Sequence, residues 1–166
     1  NITQALFMNK LLIICGPTAT GKTALGVSLA KKFNGEIVSA DSRQVYKGMD
    51  IGTGKDLGEL KGTPVWLLDV ALPNEDFSVA KYLDLAWKAI KDIWARGKLP
   101  IIVGGTGFYI KGLVEGIGTL GIPPDWELRR RLEGEDIRIL GERLKKADPQ
   151  KWEGMNESDR KNPRRL

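Results

Sequence analysis

At 166 residues, with 42% apolar and 28% charged content, the chain suffices for one buried core and a smaller element beside it; two full domains would be crowded. No apolar run approaches the roughly 18 residues of a membrane span, so no helix is expected to cross a bilayer, and a formal charge of +5 suits an anionic partner without identifying one. Histidine is absent, which removes the commonest general base and the commonest zinc ligand and leaves a carboxylate as the base of any mechanism.

Residues 1–7 lack the basic start and apolar centre of a secretion signal, and Met8 stands as a candidate start, so they are set aside from the fold. Leu11 to Cys15 then reads as a strand, with Cys15, the single cysteine, expected to be buried as a small hydrophobe in a protein of the reducing cytoplasm. The strand runs into Gly16-Pro17-Thr18-Ala19-Thr20-Gly21-Lys22-Thr23, the G-x-x-x-x-G-K-[ST] pattern of a P-loop. Its glycines let successive backbone N–H groups curl around phosphate oxygens at a helix N-terminus. Lys22 supplies a mobile positive charge, and the Thr23 hydroxyl a ligand for a magnesium ion shared with the phosphates. A helix follows through Ala24, Leu25, Ser28, Leu29 and Phe33, stopped by Asn34-Gly35.

Glu36 to Ala40 reads as a second strand, and the order strand, helix, strand predicts a parallel sheet whose ligands sit beyond the carboxyl ends of its strands. Asp41 falls on that edge, facing whatever Lys22 holds, although an Asp-Ser pair also serves as a turn or helix cap. Tyr46 to Gly62 is a long glycine- and lysine-rich loop on the same edge, read as functional or as a solvated lid carrying Lys47, Lys55 and Lys61. Thr63 to Val70 is a third strand candidate, with Asp69 placed either as a magnesium-binding acid or as a turn residue. Asp76-Phe77-Ser78 opens the best amphipathic helix, whose stripe of Val79, Tyr82, Leu83, Ala86, Trp87, Ile90 and Trp94 is expected to be core. Leu99 to Val103 is a strand ending in Gly104-Gly105-Thr106-Gly107, where glycine permits close approach and Thr106 offers a hydroxyl.

Beyond Pro123-Pro124 the character changes. Residues 125–166 hold twelve basic and ten acidic residues, in helical patterns broken near Asp148-Pro149. The expected fold is therefore α/β: a P-loop NTPase-like, doubly wound parallel sheet over residues 1–119, with a charged helical appendage over 120–166. Consecutive Arg129, Arg130 and Arg131 spread around their helix, and Arg160, Lys161, Arg164 and Arg165 cluster at the chain end. Each cluster is either a contact for an anionic partner or solvated surface.

Taken together, GPTATGKT, SADSRQVYKGMDIGTGK, VGGTGFY and NESDRKNPRRL resemble the tRNA dimethylallyltransferase family across almost the whole chain. The resemblance implies transfer of a dimethylallyl group from its diphosphate to the exocyclic amine of an adenosine next to the tRNA anticodon, with release of pyrophosphate. It implies that the P-loop, residues 16–23, holds the diphosphate with magnesium, and that Asp41 receives or orients the amine proton. It also implies that Thr106 sits beside both reacting groups, that Ser42, Arg43 and Gln44 contact the target base and its neighbours, and that Arg129, Arg164 and Arg165 touch tRNA. The family continues past the NPRRL segment, so the chain is expected to be part of a longer, monomeric enzyme acting on tRNA and dimethylallyl diphosphate. The competing readings are a P-loop small-molecule kinase, an adenylate isopentenyltransferase and an inactive RNA-binding fragment.

Overall fold

The computed structural model describes residues 10–55, 58, 60, 62–118 and 125–163. They belong to two compact units, residues 1–121 and 122–166. The first is built on a four-stranded sheet of β1 (Leu12–Cys15), β2 (Gly35–Ser39), β3 (Val65–Trp66) and β4 (Leu99–Gly104), in the order β1-β4-β2-β3. Every pairing is parallel, with Ile101 of β4 in register with Leu12 on one side and Ile37 on the other. Parallel neighbours need crossovers: α1 (Lys22–Phe33) joins β1 to β2 and α2 (Val79–Ala95) joins β3 to β4, whereas residues 40–64, between β2 and β3, hold no helix among the described residues, and α3 (Gly107–Glu115) follows β4.

Alternation along β2 and β4 divides the core between the two faces of the sheet. Ile37, Ile101 and Val103 pack with Val27 and Ala30 of α1, whereas Val38 and Ile102 pack with Tyr82, Leu83 and Ile90 of α2 and with Tyr109 and Leu113 of α3. Tyr82 and Tyr109 stack, ring centroids 3.8 Å apart. The α2 stripe is core as expected for Tyr82, Leu83, Ala86 and Ile90, while Trp87 and Trp94 are half-buried at its margin. Ser78 caps α2 by accepting from the Lys81 N–H at 3.2 Å, and Asn34 ends α1 in the left-handed region, φ 51°.

Two expectations are corrected. The third strand is only Val65–Trp66, because Leu67 (φ 65°) and Asp69 (φ 57°) leave the extended region. Cys15 is exposed, since it ends β1, which pairs on one side only, with β4, among the described residues. At the amino end of the sheet Glu36 is buried and fully engaged. It accepts from both terminal nitrogens of Arg96, from Lys98 Nζ at 2.7 Å and from Trp66 Nε1 at 2.8 Å. The Arg96 bonds above all, then those of Lys98 and Trp66, hold its carboxyl down at about 2 against the opposing effect of burial.

The second unit contains α4 (Trp126–Glu133), α5 (Ile137–Ala147), α6 (Pro149–Gly154) and α7 (Glu157–Arg160). Asp125, Asp136, Asp148 and Asn156 cap them in turn, each accepting a first-turn N–H. The break falls at Asp148-Pro149 as the sequence indicates, Asp148 ending α5 and capping α6. No described helix is long and apolar enough to cross a membrane.

Candidate functional site

A cleft of about 460 Å³ opens at the carboxyl edge of the sheet. Residues Thr18 to Thr23 form one side of it. Gly21 is the N-cap of α1 at φ 75°, and no side chain accepts from the helix's first turn. The first helical bond is Leu25 N–H to the Gly21 carbonyl, 3.1 Å, so the N–H groups of Lys22, Thr23 and Ala24 have no intrahelical acceptor and concentrate the positive end of the helix there. The loop is braced from within: the Thr20 hydroxyl donates to the Pro17 carbonyl at 2.9 Å, and the Lys22 ammonium donates to the same oxygen. Ala19, at φ 62°, holds a left-handed conformation that a Cβ disfavours.

Asp41 lines the same cleft. Its backbone is fixed by the neighbouring strand: Ala40 N–H donates to Val103 O at 2.8 Å, and Ala40 O accepts from Thr106 N–H at 3.0 Å. Only glycine fits at position 104, where a Cβ would lie 2.2 Å from that same Ala40 oxygen. Asp41 Oδ1 accepts from the N–H groups of Arg43 (2.9 Å) and Gln44 (3.4 Å), so the turn-forming use of this residue is real. Both bonds fall on Oδ1. The Thr106 oxygen accepts from Ser42 N–H at 2.9 Å, which leaves its own proton for a further acceptor. Ser42 and Arg43 are exposed beside this turn.

Gln44 is the hub of the opposite wall. Its Oε1 accepts from Ser39 Oγ at 3.2 Å, and its Nε2 reaches the carbonyls of Thr53 (3.4 Å) and Gly54 (3.2 Å). Below these polar groups the cleft is apolar, lined by Ile37, Leu60, Val65, Leu68 and Val103. The sequence did not single out this floor, because its members come from four separate segments and carry no local pattern.

The reading of Lys55 as a solvated loop lysine is corrected: its side chain is fully buried and ion-paired with Asp50 and Asp69. Burial opposes its charge, but the two carboxylates raise its pKa above the ordinary lysine value. Asp69 is thereby engaged with Lys55, at 2.6 Å. A lysine set between two aspartates in the sequence offered a signal for this cluster. Arg129 belongs to the second unit, where its guanidinium lies over the Trp126 ring, 5.1 Å from the centroid. Arg164, Arg165 and Lys61 lie outside the described residues.

The described residues contain no group of three or more His, Cys, Asp or Glu side chains able to hold a metal ion. The donor set is nonetheless suited to magnesium, which characteristically takes few protein ligands and completes its shell with water and substrate phosphates. The Thr23 hydroxyl, on the wall of the cleft, is such a donor.

The sequence profile of the IPP transferase family matches residues 44–166. The chain belongs to this family. It is 50% identical over 139 residues to tRNA dimethylallyltransferase 1 of Geotalea daltonii, covering 84% of this chain and 45% of that protein. Among solved structures it is similar to the full-length tRNA isopentenylpyrophosphate transferase of Bacillus halodurans, at 43% identity and a TM-score of 0.65, covering 94% of this chain and 52% of that one. It is also similar to a eukaryotic dimethylallyltransferase acting on tRNA, at 32% identity and a TM-score of 0.80, covering 94% of this chain and 40% of that one. This IPP transferase family chain thus spans about half the length of the relatives it matches. The family match begins at Gln44, after the P-loop and Asp41, so those residues stand on the geometry above.

Proposed function

We propose that the protein is a tRNA dimethylallyltransferase whose P-loop NTPase-like cleft binds dimethylallyl diphosphate and passes the five-carbon group to an adenosine amine beside the anticodon. The observation that carries this reading is the composition of a single cleft: uncapped helix N–H groups and Lys22 on one side, an apolar floor of Ile37, Val65, Leu68 and Val103 on the other, and Asp41 along its wall. A charged head and a short hydrocarbon tail are what such a cleft accommodates. Membership in the family supports the same assignment.

In the reaction the adenosine nitrogen attacks C1 of the dimethylallyl group, the bond from C1 to the diphosphate oxygen breaks, and its electrons leave with pyrophosphate. The backbone N–H groups at the start of α1 and the Lys22 ammonium, released from the Pro17 carbonyl, stabilise the charge that grows on the leaving oxygens. The Thr23 hydroxyl would hold a magnesium ion, which would supply further neutralising charge. Asp41 takes the amine proton, and the Thr106 hydroxyl donates to a neighbouring oxygen acceptor. Ser42 and Arg43, exposed beside the Asp41 turn, and Gln44, on the cleft wall, contact the target base and its neighbours. Arg129, Arg164 and Arg165 contact RNA phosphates, and the enzyme works as a cytoplasmic monomer.

The test is calorimetry together with transfer of labelled dimethylallyl diphosphate to an anticodon stem–loop RNA. Tighter binding of dimethylallyl diphosphate than of ATP, with label appearing on adenosine, is the expected result. Preferential binding and hydrolysis of ATP would replace the proposal with a kinase.

A further inference from the structure

Lys55 is used by neither the phosphate cradle nor the reacting groups, yet it is the most tightly held lysine of the site. Its side chain is 0% exposed, and its ammonium has one acceptor for each of its three protons: the Tyr46 carbonyl at 2.6 Å, Asp69 Oδ1 at 2.6 Å and Asp50 Oδ1 at 2.9 Å. These acceptors come from the start of the loop, its middle and the segment after β3, so one charge closes the 46–55 turn on itself and onto the exit of β3. With every proton committed, Lys55 has none left for a phosphate. The two residues before it, Thr53 and Gly54, form the cleft wall and give their carbonyls to Gln44, whose backbone N–H in turn reaches Asp41 Oδ1. A continuous run of bonds and backbone therefore joins Lys55 to Asp41.

We propose that Lys55 is a positioning residue: clipped by Asp50 and Asp69, it fixes the Thr53–Gly54 wall and, through Gln44, Asp41, so that the cleft accepts the hydrocarbon part of a diphosphate ester. The diphosphate cradle does not depend on it. The ligand half of this inference rests on the proposed function; the clip itself rests on the contacts alone.

Lys55→Met keeps the side chain's length and removes its charge, and Asp50 and Asp69, 47% and 41% exposed, can turn to water. Without ligand, amide hydrogen exchange in residues 49–55 should quicken about tenfold, with β4 and α1 unchanged. In calorimetry, pyrophosphate should bind within about twofold of wild type, while dimethylallyl diphosphate should weaken about tenfold, as expected from a displaced wall. Introduced into a Gln44→Ala background, the same substitution should add little, because both act through one chain of contacts. Asp69→Asn, which leaves Asp50 in place, should reproduce the pattern more weakly and serves if Lys55→Met does not fold. Unchanged exchange in residues 49–55 overturns the clip. Equal weakening of both ligands, or full additivity with Gln44→Ala, makes Lys55 a merely structural residue. A wild-type protein that does not distinguish dimethylallyl diphosphate from pyrophosphate defeats the proposed function, and the exchange measurement still decides the clip.

Discussion

The two ends of the sheet treat their polar groups in opposite ways. At the amino end Glu36 is surrounded by Arg96, Lys98 and Trp66 and has each oxygen bonded. At the carboxyl end, where α1, α2 and α3 all begin, α1 and α3 have no side-chain cap, whereas Ser78 caps α2 by accepting a backbone N–H. One end is satisfied from within the chain; the other keeps its donors for something that arrives. The difference teaches that the uncapped start of α1, which lines the cleft, leaves open donors that a cap such as Ser78 on α2 would occupy, and internal satisfaction there would compete with binding.

The largest effect that would break this contrast is at Asp41. Asp41→Asn preserves the acceptor that holds the turn, so pyrophosphate affinity and melting temperature should stay near wild type. Single-turnover transfer should fall about a hundredfold to ten-thousandfold. An unaltered rate would reduce Asp41 to the turn residue that its bonds to Arg43 and Gln44 describe.

The satisfied end is tested by acid. A carboxyl held at about 2 in the folded protein, against 4.5 as its ordinary value, contributes about 3 kcal/mol that is present above pH 4.5 and is lost as pH falls towards 2. Denaturant melts between pH 6 and 3 should show that loss, and Glu36→Gln should flatten it.

A smaller effect is expected at Lys22, whose replacement by alanine removes a charged hydrogen bond of about 2 kcal/mol and should weaken pyrophosphate binding about tenfold to a hundredfold. Calorimetry reads this directly, with circular dichroism as the control. The smallest concerns strain at the open end: Ala19→Gly relieves a left-handed alanine and should raise stability by about 1 kcal/mol in thermal melts.

The sequence was informative wherever chemistry is local. The run from Leu11 to Thr23 specifies strand, loop and helix start, and Ser78 and the Asp148-Pro149 pair announce helix boundaries that the structure places at the same residues. It was far less informative where the site is assembled from contacts outside any one helix or strand, the two aspartates that bracket Lys55 being the one hint. Gln44 gains its meaning from Ser39, Thr53 and Gly54, and Lys55 from Tyr46 and Asp69, and none of these pairings has a periodicity. The third strand was read too long because apolar content cannot register that Leu67 and Asp69 adopt positive φ.

The contact of Gly104 with the Ala40 carbonyl has a mechanical consequence. That one oxygen is pressed by β4 and bonded to the N–H of Thr106 at the head of α3, with Asp41 the next residue along. The space beside it is too small for even a methyl group, and close-packed interiors transmit strain. A tilt of α3 should therefore be passed to Asp41 through the Ala40 carbonyl, which ties the head of that helix to the residue before the carboxylate.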